Sequence, residues 1–95
     1  MIEALLARGC PKQHPDVWLR RAERENVVYD PSSASVHVMN DTATAIWSLC
    51  DGRTHPDEMV VAICSLSGLP REVVEEDVAR ILEEFEQVGI ISWIA

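Results

Sequence analysis

The chain has 95 residues, 47% hydrophobic and 25% charged, which suits one modest globular core and is too short for two domains. Its 16 acidic and 8 basic side chains give a net charge of −8, which opposes binding to nucleic acid or to anionic membranes. It has no run of roughly 18 apolar residues that could span a membrane, and no early basic region of a secretory signal, so we expect a cytoplasmic protein.

A short amphipathic helix is predicted for residues 2–8 (IEALLAR), where Gly9 and Pro11 would end it. Residues 1–13 are therefore interpreted as an N-terminal extension, and residues 14–95 as the main domain. The role of the extension is left open.

Three strands are predicted after a segment, 10–16, whose two prolines favour an extended or irregular path. The strands cover 17–22, 24–29 and 34–39, because β-favouring residues alternate with polar ones there. The sequence DPSS at 30–33 is typical of a turn. This pattern predicts a three-stranded antiparallel meander with one buried face.

The third strand is short and uncharged, with Val36 and Val38 on one face and Ser35 and His37 on the other. Edge strands usually carry lysine, proline or a covering element that prevents further pairing. Two interpretations stay open: the N-terminal helix or the IISWIA tail covers this edge, or an incoming peptide adds a strand to it.

Three helices follow, each with apolar residues at helical spacing. They are predicted from the N-cap Asn40 to Gly52, from Thr54 to Gly68, and from about Pro70 to Val88. Strands followed by helices favour an α+β fold with a helix-turn-helix-like unit. The apolar faces comprise Ala43, Ile46, Trp47 and Cys50, then Met59, Ile63 and Leu66, then Val74, Val78, Ile81, Leu82, Phe85 and Val88. After Gly89, the short apolar tail is expected to pack as a strand or wing.

The sequence offers little for catalysis or for binding a metal or cofactor. No histidine stands at ligand spacing from another ligand: His14, His37 and His55 lie far apart. The three cysteines form no CxxC pair and are expected to be reduced structural thiols, namely Cys10, Cys50 and Cys64. We therefore expect no metal, no cofactor and no enzymatic activity.

Two sequence blocks resemble the PqqD-like family of peptide chaperones. Residues 36–63 (VHVMNDTATAIWSLCDGRTHPDEMVVAI) have the strand ending in Asn, the small-residue helix, the DG turn and the helix-opening Thr of that family. Residues 77–91 (DVARILEEFEQVGII) have its Asp-Val pair and its closing Gly followed by two apolar residues. The resemblance covers about residues 14–91.

This resemblance implies a winged helix-turn-helix-like recognition element for ribosomally made, post-translationally modified peptides. Such a domain binds the leader of a precursor peptide by strand addition and presents it to a modifying enzyme, typically a radical SAM enzyme. The best-known member serves pyrroloquinoline quinone synthesis.

Carried onto this sequence, the resemblance assigns peptide binding to one strand and one helix. The pairing strand would comprise Ser35, Val36, His37, Val38 and Met39. The apolar wall would come from Val74, Val78, Ile81 and Leu82, with Asp77 and Arg80 at its rim.

Two other functions compete with this one. A winged-helix DNA-binding regulator is disfavoured, because residues 70–88 hold two arginines against seven acids where a recognition helix should be basic. The other is a structural homodimer in which the N-terminal helix and the tail are exchanged between chains.

Overall fold

A computed structural model describes residues 2–94 of the chain, apart from the side chain of Ala22. Met1 and Ala95, at the ends of the predicted extension and tail, lie outside the described residues. Four helices and five strands follow in chain order: α1 Ile2–Leu6, β1 Cys10–Gln13, β2 Trp18–Ala22, β3 Glu25–Asp30, β4 Ser35–Met39, α2 Asp41–Ser48, α3 Pro56–Ser67, α4 Arg71–Gln87 and β5 Ile91–Ile94.

The predicted meander is confirmed as a three-stranded antiparallel sheet in the order β2-β3-β4. Each strand lies within one residue of its predicted bounds. In the register of the sheet, Val28 of β3 stands opposite His37 of β4, and Tyr29 stands opposite Val36. The strands and the helices that follow them make the α+β architecture of a winged helix-turn-helix, as the sequence predicted.

The face of β4 that the protein buries is not the face with the valines. Met39 is 6% exposed and its neighbour Val28 on β3 is fully buried, whereas Val36 and Val38 are 58% and 64% exposed. Ser35 and His37 lie on the same side as Met39, because side chains two apart in a strand share a face. The usual arrangement of an antiparallel sheet, apolar inside and polar outside, is thus reversed along most of β4.

The helices begin close to their predicted starts, but α2 ends at Ser48 and not at the predicted Gly52, because the backbone of Cys50 and Gly52 bonds to β1 instead. Asn40 caps α2, since its side-chain oxygen accepts a hydrogen bond from the Ala43 backbone N–H at 2.8 Å. Helix α3 begins at Pro56, two residues later than predicted, because His55 takes the N-cap position and Glu58 Oε1 accepts from its backbone N–H. Gly68 ends α3 in the left-handed conformation at φ 70°.

Two residues assigned to apolar core faces are exposed instead. Leu66 is 79% exposed, because the last turn of α3 extends beyond the packed part of the helix, and Val60 is buried in its place. Val88 is 44% exposed at the C-cap of α4. Both predictions were wrong because helical spacing continues to the helix ends whether or not a neighbour packs there.

The segment predicted to be extended or irregular contains an extended strand, β1, which pairs antiparallel with β5; this pairing was not predicted. The carbonyl of Pro11 accepts from the Gly52 N–H at 2.9 Å, and the Gln13 N–H donates to the Cys50 carbonyl at 2.8 Å. Backbone groups of these two residues therefore point away from β5, and the missing N–H of Pro11 removes no bond of the ladder. The expected strand at the tail is confirmed.

One hydrophobic core joins all these elements. The helices contribute most of it, β3 and β4 add Val28 and Met39, and α1 adds Ile2 and Leu5. Trp47 is 4% exposed and belongs to this core, as its helical face predicted. Among residues 2–94, no helix is long and apolar enough to cross a membrane.

Candidate functional site

The free edge of β4 is the first component of the site. Among the strands that the structure describes, β4 pairs only with β3, and its other edge carries no partner. Neither of the coverings considered from sequence lies there, because β5 pairs with β1 and α1 packs against α3 and α4. Its unpaired backbone N–H and C=O groups are therefore available to another strand.

A groove of about 270 Å³ runs beside this edge. One wall is β4 with the start of α2, and the other is the second half of α4 with the residue before β5. The lining comprises His37, Val38, Met39, Asn40, Ala43, Arg80, Ile81, Glu84, Phe85, Val88 and Ile90. Most of the lining side chains are apolar, and Arg80 and Glu84 of α4 contribute charge.

The groove includes only part of the predicted set. His37, Val38 and Met39 of the pairing strand line it, as do Arg80 and Ile81 of α4. Ser35 and Val36 belong to the same strand but do not line the groove. Their role in peptide binding stays a prediction.

Three of the four residues predicted as the apolar wall are not exposed at the groove. Val74, Val78 and Leu82 have no exposed surface, because this stripe of α4 faces the core of the protein. The most apolar face of a helix in a small domain is the one the core needs, so the prediction placed core residues at the site. Of the wall, Ile81 alone lines the groove.

Phe85 and Val88 occupy the position that the buried residues were predicted to hold. Together with Ile81 they are spaced i, i+4 and i+7 along α4 and line the groove. Ile81 and Phe85 also belong to the core and are 4% and 6% exposed, whereas Val88 is 44% exposed. The sequence contains this spacing, but spacing alone does not separate the groove residues from the core stripe of the same helix. Ile90, Ala43 and the Asn40 cap were also missed, because they reach the groove from other elements.

A chain of hydrogen bonds leads from the β3–β4 turn to the groove. Ser33 Oγ donates to Asp30 Oδ2 at 3.2 Å and lies 2.5 Å from Ser35 Oγ, which in turn lies 3.1 Å from His37 Nε2. These bonds fix the turn and orient the imidazole. Asp30 reaches His37 only through two serines, unlike the acid of a catalytic triad, which bonds its histidine directly.

Asp30 is held as a carboxylate at the start of this chain. It is 4% exposed, and Ser32 donates to its Oδ1 from both the hydroxyl, at 2.7 Å, and the backbone N–H, at 3.0 Å. The Ser32 hydroxyl bond is the main reason that the pKa of Asp30 lies below its usual value, while burial opposes the shift.

One arginine on the α4 side of the groove lies between two acids, which leaves this side with a net negative charge. Arg80 lies 3.3 Å from Asp77 and 3.5 Å from Glu84, one turn away on either side. Asp77, predicted at the rim, is half-buried and reaches the groove only through this pair with Arg80. Arg80 and Glu84 are well exposed and Asp77 is partly exposed, so the pairs contribute little to stability.

The described residues offer no set of three histidine, cysteine or acidic side chains placed to hold a metal ion. Cys50 is fully buried, donates to the Ile46 carbonyl at 3.2 Å, and burial raises the pKa of its thiol to about 12. Burial also raises the pKa of Cys10, which lies on β1 and not in the flexible segment expected. Both thiols are therefore protonated and unreactive at neutral pH.

A protein-family model described as "Coenzyme PQQ synthesis protein D (PqqD)" matches residues 25–91, which include β4, the groove and α4. The chain belongs to the PqqD family. PqqD proteins are non-catalytic chaperones that bind peptides, in agreement with the prediction that this chain is not an enzyme. No curated protein matches the sequence significantly.

Three solved structures share the PqqD-like fold of this chain. TbiB1 in complex with the TbiA(beta) leader peptide has a TM-score of 0.77 at 24% identity, covering 88% of this chain and 98% of that one. Lasso peptide synthetase B1 complexed with the leader peptide has a TM-score of 0.75 at 23% identity, with 86% and 96% covered. The PqqD truncation of Methylobacterium extorquens PqqCD is described as a functional and stand-alone recognition element of ribosomally synthesized and post-translationally modified peptides. It has a TM-score of 0.73 at 21% identity, with 86% of this chain and 87% of that one covered.

Proposed function

We propose that this chain binds the leader of a ribosomally made precursor peptide along β4 and presents it to a modifying enzyme. The observation that carries the proposal is the free edge of β4 beside an apolar groove. An extended peptide on that edge gains main-chain hydrogen bonds, and every second side chain enters the groove toward Ile81, Phe85 and Val88. Family membership and the two structural neighbours described as complexes with leader peptides support it.

The energetics allow a useful affinity. Three to five new main-chain bonds at roughly 1 kcal/mol each, and two or three buried aliphatic side chains at about 1.5–3 kcal/mol each, favour binding. Ordering the peptide costs about 2–5 kcal/mol, and lost rigid-body freedom costs several more. The most favourable balance of these terms, about 8 kcal/mol, corresponds to a dissociation constant of about a micromolar.

Two proline variants test the edge. Successive N–H groups of a strand point to opposite sides, so one of His37 and Val38 donates toward β3 and the other toward the free edge. Of His37→Pro and Val38→Pro, one should keep its urea midpoint and lose at least tenfold in affinity, and the other should lose stability. Isothermal titration with leader peptides of precursors encoded beside this chain measures the affinity. A stable variant that binds as tightly as the wild type would exclude the edge.

A second pair of variants tests the groove. Val88 is 44% exposed and lines the groove, whereas Leu66 is 79% exposed at the end of α3. Val88→Ser should weaken the same peptides about tenfold, since it removes roughly one buried valine. Leu66→Ser should leave the affinity unchanged. Equal effects of the two variants would contradict the proposal.

For the modifying enzyme, a radical SAM enzyme is the proposed partner, and quinone cofactor synthesis or a related pathway is the proposed context. The support is the family description, since the PqqD-like resemblance implies a partner of this class. The test is to modify the precursor with a co-encoded radical SAM enzyme, with and without this chain. A reaction that proceeds equally well without the chain, or only with an enzyme of another class, would overturn this assignment.

A further inference from the structure

The outer face of the three-stranded sheet is apolar on the side of the free edge. One cross-strand row is Trp18, Tyr29 and Val36, and the next is Arg20, Val27 and Val38. The rings of Trp18 and Tyr29 lie 5.3 Å apart, and a shallow depression of about 230 Å³ joins most of these side chains. Both rows end on β4 at a valine that is more than half exposed, Val36 at 58% and Val38 at 64%.

These two valines stand where an edge strand usually carries a charge. The polar residues of β4, Ser35 and His37, point inward and hydrogen-bond to each other at 3.1 Å. An outward lysine or glutamate would keep the edge soluble at no cost to the core. The apolar rows instead continue to the edge on which the proposed peptide strand would lie. Outward side chains of that peptide would therefore extend each row by one residue.

We infer that the bound peptide is apolar on both of its faces: its outward side chains pack beside Val36 and Val38, while its inward side chains fill the groove. This rests on the proposed function and defines its substrate class. A strand covered on one face alternates apolar and polar residues, whereas a strand covered on both faces is a nearly continuous apolar run. The preferred leader therefore holds four or more consecutive apolar residues, rich in β-branched and aromatic types.

The test uses a phage-displayed library of random twelve-residue peptides, selected on the full chain. The selection is repeated on the double variant Val36→Thr/Val38→Thr, in which threonine keeps the shape and the strand preference of valine but presents a hydroxyl. Val61→Thr, at a 55% exposed valine of α3, is the matched control. Urea titration verifies that all three proteins are folded.

The wild type and the Val61→Thr control should both enrich continuous apolar runs. The double variant should enrich alternating peptides, polar at every second position, because threonine removes the apolar outer surface while the groove residues of α4, Ile81, Phe85 and Val88, still select apolar residues. For one enriched peptide made synthetically, replacing its two outward residues by serine should weaken binding to the wild type about two- to thirtyfold, the range of two cross-strand pairs. The same replacement should matter less than half as much for the double variant.

Alternating peptides enriched on the wild type would overturn this inference and leave the proposed function standing. Identical continuous runs enriched on the wild type and on the double variant would also overturn it. No enrichment on any of the three folded proteins would overturn the proposed function itself, and this inference with it.

Discussion

Trp47 illustrates how much one side chain contributes to a core of this size. It is 4% exposed in the middle of α2, and its carbonyl accepts a hydrogen bond from Gln13 Nε2 at 2.8 Å, which ties α2 to β1. Its indole N–H is buried without a hydrogen-bond partner among the described residues. The ring therefore stabilises the fold by packing, and its polar atom opposes that gain.

Replacing Trp47 by alanine should cost about 3–5 kcal/mol of unfolding free energy, because it leaves a large cavity in the core. Trp47→Phe should cost less than about half of this, since it keeps most of the packing and removes the unpaired N–H. Urea unfolding of the three proteins measures both values. A loss below about 1 kcal/mol for the alanine variant would show that α2 is not packed as described.

The carboxylate of Asp30 makes the free energy of unfolding depend on pH. Its pKa is lowered in the folded protein, mainly by the Ser32 hydroxyl, so the carboxylate stabilises the fold above the unfolded pKa of about 3.9. That stabilisation is lost as the pH falls through the lower, folded pKa. Asp30→Asn should therefore be less stable than the wild type at pH 7, and the difference should shrink at pH 3. A constant difference in urea midpoint across this range would contradict the assignment.

At the scale of the elements, the sequence predicts periodicity better than it predicts contacts. The alternation of residues 34–39 identifies β4, but it cannot say which set faces inward, since that depends on what packs against the sheet. The stripe of α4 holds both the core face and the groove face, which differ by a rotation that spacing alone does not resolve. β1 was missed because Pro11 disfavours strands in general, whereas its position here requires no N–H.

The turn after α2 allows a prediction with a matched control. Gly52 has φ +79°, and a Cβ there would lie 3.1 Å from Ile94 Cδ1, whereas Gly89 has φ +78° and open space around it. Changing either residue to alanine should cost roughly 1–2 kcal/mol of backbone strain. Gly52→Ala should cost more, since the side chains of Ile94 and Lys12 must also move aside. Equal urea midpoints for the two variants would show that the contact with Ile94 is unimportant.

For the whole molecule, the net charge of −8 should make stability depend on salt. The ion pairs, including the one in which Arg8 contacts both carboxylate oxygens of Glu86, are at least partly exposed, so we expect self-repulsion among the acids to outweigh them. Raising NaCl from 20 to 500 mM should raise the melting temperature, because salt screens the repulsion. Glu76→Lys, at an exposed site on α4, should reduce that rise. A melting temperature that falls with added salt would show that the ion pairs dominate.

The pairing of β1 with β5 also governs the order in which the chain can fold. Cys10 and Ile94 stand opposite each other although they are about 80 positions apart, whereas β2, β3 and β4 are joined by short turns. Local hairpins close early, and the distant pair must wait until the helices between them have shortened the loop. The Cys10–Gln13 ladder is thus the last to be completed during refolding and the first to open in the native state. Its amides should exchange with solvent deuterium well before those of β3.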